Sequence, residues 1–135
     1  MESIARILIV ADVRETVDNL RDFFESNGYE AEVALNNKVA SAILEERKMD
    51  LAIVGFKVQD ISGIEILKSL RTIDPRIPVV LIHGSDSKRT KALIKKAGAQ
   101  GYIPNPIEEN SLLNTVKKIL TSRSRKAGRL RLPLR

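Results

Sequence analysis

The sequence contains no cysteine, which excludes disulfides, thiolate metal sites and cysteine nucleophiles. Tryptophan is also absent. The only aromatics are Phe23, Phe24, Phe56, Tyr29 and Tyr102, too few for a base-stacking platform. Long apolar runs are missing: Ile7–Ala11 and Ile77–Ile82 fall far short of the ~18 residues that span a bilayer. The opening MESIARILIVAD lacks the basic n-region and long h-region of a signal peptide, so the expected compartment is the cytoplasm. Neither GxGxxG nor GxxxxGKS/T occurs, which removes the usual nucleotide-binding loops.

What is present describes one globular domain. At 135 residues, with 43% apolar and 30% charged, the chain is long enough for a real core. The net charge of +6 is uneven. Six of the 23 Lys+Arg (Arg123, Arg125, Lys126, Arg129, Arg131 and Arg135) follow residue 120, leaving 17 against 17 acids before it. A pI near 9.8 ordinarily prompts a search for a nucleic-acid-binding face, but here it describes a tail. The expected organisation is a domain over residues 1–120 and a basic tail over 121–135, flexible or continuing the last helix.

Short β-branched runs alternate with amphipathic stretches. Ile7–Val10 reads as a strand buried on both faces. Val17, Leu20, Phe23 and Phe24 then make one helical face over Arg14–Asn27, stopped at Asn27-Gly28 because glycine tolerates the left-handed conformation at a helix end. Glu30–Ala34 is a less apolar strand, nearer an edge. Asn36 or Asn37 caps a helix carrying Val39, Ile43 and Leu44. Leu51–Val54 is a third strand. Ser62 and Glu65 have capping-box spacing before Ile64, Leu67 and Leu70. Pro78–Ile82, a basic helix Lys88–Ala97, Gly101–Ile103 and a helix Glu108–Leu120 complete the pattern. Five strand–helix units predict a three-layer α/β fold with a five-stranded parallel sheet covered on both faces. Function in such sheets sits beyond the carboxyl ends of the strands, which selects Ala11, Asp12, Gly55, His83, Gly84 and Asn105.

These strand ends carry a family resemblance. Ile7–Asp12, the run Asp50–Leu67 through Gly55 and Gly63, Pro78–Gly84, and Ala97-Gly98-Ala99 through Tyr102 to Asn105-Pro106 resemble, in order, four segments of the receiver domain of two-component response regulators. The resemblance covers residues 5–120. It implies a flavodoxin-like, doubly wound (βα)5 fold and a place in phosphorelay signalling. It also implies five chemical groups: two acids after the first strand for Mg2+, an Asp ending the third strand that accepts a phosphoryl group, a Ser or Thr ending the fourth, and a Lys before Pro after the fifth. Together they surround an in-line phosphoryl transfer with a metal and a cation.

The chain departs at four of the five. Ala11 replaces the first acid, leaving Asp12. Gly55 stands at the phosphoacceptor position, His83 at the Ser/Thr and Asn105 at the Lys. Tyr102 matches the family's rotating aromatic. One carboxylate is a poor Mg2+ site, so no metal and no cofactor are expected. Asp12 reads as a solvated carboxylate near the next helix N-terminus. Asp60, five residues past Gly55, lies too far along the loop to replace it as acceptor. His83 is either a titrating sensor or, as preferred, a filler of the vacated pocket bonded to Asp12, Asn105 or backbone. Gly55 either closes the pocket or admits backbone or a small ligand. Ser85 and Ser87 read as helix caps rather than nucleophiles.

The expected function is therefore that of a pseudo-receiver, not an enzyme, acting by phosphorylation-independent protein interaction. The resemblance places the output face on the fourth helix, fifth strand and fifth helix, with Lys88, Lys91, Lys95, Tyr102 and Pro106. Pairing of that basic helix with Glu108-Glu109 across a two-fold axis would give a homodimer. The alternatives are a nucleic-acid adaptor using the tail and fourth helix, and a small-ligand sensor at Gly55, His83 and Asn105.

Overall fold

The computed structural model describes residues 4–83 and 87–131, with side chains through residue 123. Gly84, Ser85 and Arg135, and the side chains of Arg125, Lys126, Arg129 and Arg131, lie outside the described set. In chain order the elements are β1 (Arg6–Val10), α1 (Arg14–Ser26), β2 (Glu30–Ala34), α2 (Asn37–Glu46), β3 (Leu51–Gly55), β4 (Lys57–Val58), β5 (Ile61–Ser62), α3 (Gly63–Ile73), β6 (Val79–His83), α4 (Lys88–Lys96), β7 (Gly101–Pro104) and α5 (Glu109–Arg131).

Five strands form one parallel sheet in the order β2-β1-β3-β6-β7. The expected edge strand Glu30–Ala34 is an edge. The three central strands are almost wholly apolar because helices cover both of their faces. Two cores result. Leu8, Val10, Ala52, Val54, Val79 and Leu81 face α2, α3 and α4. Ile7, Ile9, Leu51, Ile53, Val80 and Ile82 face α1 and α5. Adjacent residues on each strand alternate between the two, as the two-residue period of a strand requires.

Local chemistry sets the helix ends. Asn36 accepts from the Val39 amide at 2.8 Å and Ser62 from the Glu65 amide at 3.2 Å. Ser87 accepts from Thr90 at 3.1 Å. Gly28 and Gly98 follow α1 and α4 at φ +90° and +92°, where a side chain would be strained. The helix read as Glu108–Leu120 continues without a break to Arg131. The segment read as a loop after the third strand contains an antiparallel hairpin, Lys57 opposite Ser62 and Val58 opposite Ile61. Its turn residues, Gln59 and Asp60, both take positive φ, +48° and +68°, the backbone of a type I′ turn.

Candidate functional site

Parallel strands point all their carboxyl ends to one edge of the sheet. Ala11 and Asp12 follow β1, Gly55 ends β3, His83 ends β6 and Asn105 follows β7. β1, β3 and β6 are consecutive neighbours, as are β6 and β7, so the topology brings these sequence-selected residues to one rim. Asn105 joins it through its backbone, its amide donating to the His83 carbonyl at 2.6 Å.

Asp12 is exposed at this rim, and its Oδ2 accepts from the Gln59 amide at 2.9 Å. Asp12 is thus an exposed carboxylate one residue before the Val13 cap of α1, and besides solvent it has the Gln59 amide as a partner. A non-glycine residue in the left-handed region costs roughly 1–2 kcal/mol. A charge-assisted bond to its amide offsets much of that. Asp12 therefore holds the hairpin turn in place.

The space at Gly55 is bounded by two apolar side chains and the Val10 carbonyl. A Cβ built there would lie 3.5 Å from Val58 Cγ2 and 3.7 Å from Ala11 Cβ. Val58 itself is completely buried. On the other side of the strand end, the Gly63 amide donates to the Phe56 carbonyl. A Cβ on Gly63 would run into the Gly55 carbonyl oxygen and come within 2.9 Å of Leu81 Cδ2. Glycine at 63 lets the N-terminus of α3 close onto the end of β3.

His83 is buried at 4% exposure, the buried polar side chain of the described core. Its ring meets Phe56 edge-on at 3.7 Å between centroids, with an interplanar angle of 70°. Tyr102 lies at 6.5 Å, and Lys91 Nζ stands 5.7 Å from the centre of the Tyr102 ring, within cation–π reach. Of the partners expected for His83 (Asp12, Asn105 or backbone), the Asp12 carboxylate accepts from the Gln59 amide, while the Asn105 amide donates to the His83 carbonyl. The His83 ring lies in an aromatic row, Phe56–His83–Tyr102, that ends at α4. Phe56 and Val58 were not among the residues selected from sequence. The available signal was their position within three residues of the end of β3.

The receiver resemblance implies a Mg2+ ion, and the donor set does not fit one. Ala11 and Gly55 bring no ligand side chain, and Asp12 is engaged by an amide. Among the described residues no group of three His, Cys, Asp or Glu side chains converges on a metal position. Mg2+ demands an octahedron of oxygens, which these residues do not supply.

On the α4–β7 side, Lys88, Lys91 and Lys95 are exposed, as are Pro106 and Leu93, the last at 52%. A shallow groove of about 310 Å3 lies between Lys91, Ile94, Lys95, Ala99 and Tyr102. Glu108 accepts from the Ser111 amide at 2.7 Å and the Asn110 amide at 3.3 Å. The bonds from Ser111 hold its carboxyl below the usual carboxylate range.

The response regulator receiver domain profile matches residues 7–117. The chain belongs to that family. Receiver domains are signalling modules of two-component systems, and this one is similar over 115 residues, at 27% identity, to the response regulator MprA of Mycolicibacterium vanbaalenii. That match takes 85% of this chain and 50% of MprA, so the chain spans about half the length of the curated relatives it matches first. It is also 28% identical to the polar-differentiation response regulator DivK of Brucella anthropi, covering 84% of this receiver and 94% of DivK. Among solved structures, the CheY-like receiver domain protein of Methanospirillum hungatei superposes with a TM-score of 0.84 at 29% identity, over 92% of this chain and 99% of that one. The NtrX structure from Brucella abortus shares the fold at a TM-score of 0.87 and 23% identity, over 96% of this receiver and 30% of NtrX. Among the described residues no helix is long and apolar enough to cross a membrane.

Proposed function

We propose that this receiver domain works without aspartyl phosphorylation, as a cytoplasmic, non-enzymatic module that passes its signal by binding protein. One observation carries the reading: at the family's phosphoacceptor position stands Gly55, beside an Asp12 carboxylate already bonded to Gln59. A glycine offers no oxygen to attack phosphorus, and a single engaged carboxylate recruits no metal.

The partner face of this reading is α4–β7–α5. It carries exposed Leu93, the Lys91–Tyr102 pair and the groove between them, an apolar and aromatic centre with a charged rim. The row from Phe56 through His83 to Tyr102 links that face to the former phosphorylation pocket. A second copy is one candidate partner, with the basic α4 set against Glu108 and Glu109 across a two-fold axis.

The test is a two-dimensional amide NMR spectrum of the full chain with Mg2+ and beryllofluoride. No shift around residues 12, 55 and 83 is expected. A saturable, stoichiometric change there would overturn the reading. Sedimentation of Leu93→Asp against the native chain tests the homodimer, which the substitution should dissociate.

A further inference from the structure

The opposite edge of the sheet carries a feature that the signalling function does not use. In a parallel (βα)5 fold every helix runs back against its strand, so all helix C-termini meet at the amino ends of the strands. Cations are favoured at helix C-termini because of the backbone dipole. At that edge α3 and α4 follow this rule, with Arg71 and with Lys95 and Lys96 in their last turns, whereas the last turns of α1 and α2 hold no cation.

A groove of about 980 Å3 lies there, with Lys48, Arg71, Arg76, Lys118 and Arg123 on its walls and Asp74 as its one acid. Arg6, Arg14, Arg21, Arg47 and Lys57 all sit against carboxylates elsewhere. Among the described residues, none of the five groove cations forms an ion pair. Two guanidiniums are held in place by backbone. Arg71 donates through Nε and Nη2 to the Ile77 carbonyl at 3.3 and 3.1 Å, and through Nη2 to Gln100 Oε1 at 2.7 Å. Arg123 donates through Nη1 to the Asp50 carbonyl at 2.8 Å. These contacts fix the positive groups in the groove without neutralising them.

α5 leads out of this groove. It bears Lys118 and Arg123, and its backbone continues as helix to Arg131 through Arg125, Lys126 and Arg129. At about 1.5 Å per residue the stretch from Lys118 to Arg131 is about 20 Å long. A free phosphate could engage only the groove; a linear polyanion could follow both. The chemistry of the walls separates two linear polyanions. A protein partner needs a desolvated apolar or aromatic centre, whereas the groove's apolar walls are Pro75, Pro78 and Ile119, with no aromatic side chain. The exposed large apolar residues, Ile4, Val13, Val39, Phe56 and Leu93, are all outside it. A phosphodiester backbone needs only positioned cations, because released counterions supply the driving force.

We infer that the groove at the amino edge of the sheet, continued by α5, binds the phosphate backbone of nucleic acid without reading its sequence. The site is separate from the strand-end pocket and does not depend on how that pocket is used.

Fluorescence anisotropy of the full chain with two unrelated labelled DNA duplexes, an RNA of equal length and polyglutamate of equal charge tests this between 50 and 200 mM salt. The two duplexes should bind equally. With about six phosphate contacts, affinity should fall about a thousand-fold over that range. The triple variant Lys48→Gln/Arg76→Gln/Lys118→Gln alters surface side chains only. It should bind at least ten-fold more weakly at 100 mM salt and lower the salt slope by about 3. The control Lys38→Gln/Lys68→Gln/Lys88→Gln removes the same charge elsewhere and should retain native binding. RNA binding equal to that of the duplexes fits a backbone contact and supports the assignment. Equal loss in the two triples, no loss in the groove triple, no duplex binding at 50 mM salt, or tighter binding of polyglutamate than of duplex would each overturn it.

Discussion

The Asp12 carboxylate bonds the Gln59 amide across 2.9 Å, tying the end of β1 to the turn of the β4–β5 hairpin. An acid that the receiver resemblance assigns to metal binding is used here to hold a strained turn. Asp12→Ala should cost about 1 kcal/mol in urea denaturation, the usual worth of a partly exposed hydrogen bond, and should speed hydrogen exchange at the Gln59 amide. Asp12→Asn keeps an oxygen acceptor and should recover most of the protection. Unchanged exchange in Asp12→Ala would show that the turn holds without the bond.

Gly55→Asp should fold normally. A Cβ there meets Val58, the Val10 carbonyl and Ala11 at 3.5 to 3.7 Å, ordinary contact distances. The single variant should take up no phosphate from acetyl phosphate, since Ala11, His83 and Asn105 bring none of the other groups that the receiver resemblance implies. Ala11→Asp/Gly55→Asp should gain Mg2+-dependent shifts at residues 11, 12 and 55. Stoichiometric phosphorylation of the single variant, read by intact mass, would contradict this account.

Gly63→Ala should destabilise the fold by about 1–3 kcal/mol, the cost of overpacking a filled core. The added methyl would strike the Gly55 carbonyl and Leu81, and backbone cannot turn aside as a flexible side chain can. The thermal midpoint should drop accordingly, whereas Gly28→Ala at an open turn meets no neighbour within 4 Å and should lose only the cost of its positive φ.

Phe56→Ala should remove the ring that meets His83 edge-on. The loss expected is about 1 kcal/mol beyond the lost apolar area. The His83 ring-proton shifts should change as the ring current disappears, and the Tyr102 signals should follow. His83 shifts identical to those of the native chain would break the proposed link between pocket and output face.

Glu108 has a carboxyl pKa lowered chiefly by its bonds from Ser111. A depressed folded value means stabilisation that is fully present above the usual carboxylate range and lost as pH falls through the folded value. The first turn of α5 should therefore fray in acid below that range. A side-chain NMR titration and amide exchange at Asn110 and Ser111 measure it, and Glu108→Gln should remove the pH dependence.

Much of the fold is readable from short windows of sequence. The buried strands Ile7–Val10, Leu51–Val54 and Pro78–Ile82 announce themselves by apolar runs of strand length. Asn36, Ser62 and Ser87 cap their helices as side chains of their type do, and Gly28 and Gly98 end theirs. The hairpin at Lys57–Ser62 was hidden because Gln59-Asp60 lacks the Asn-Gly or Asp-Gly signal of a type I′ turn. The rim residues Ala11, Asp12, Gly55, His83 and Asn105 followed from strand ends. Their partners did not, since nothing near Asp12 in sequence points to an amide 47 positions away.

By itself, then, the sequence determined the strands, most helix limits, the neutral body with its basic tail, and a glycine rather than a carboxylate at residue 55. Those properties depend on side chains within about four positions of one another, or on the identity of one residue. Tertiary structure alone decided that Asp12 serves Gln59, that Phe56 lies on His83, and that Lys48, Arg71, Arg76, Lys118 and Arg123 line one groove. Each of these joins distant parts of the chain. Their proximity arises when burial of the apolar strands forces every crossover helix back over the sheet, a constraint that no local stretch of sequence contains.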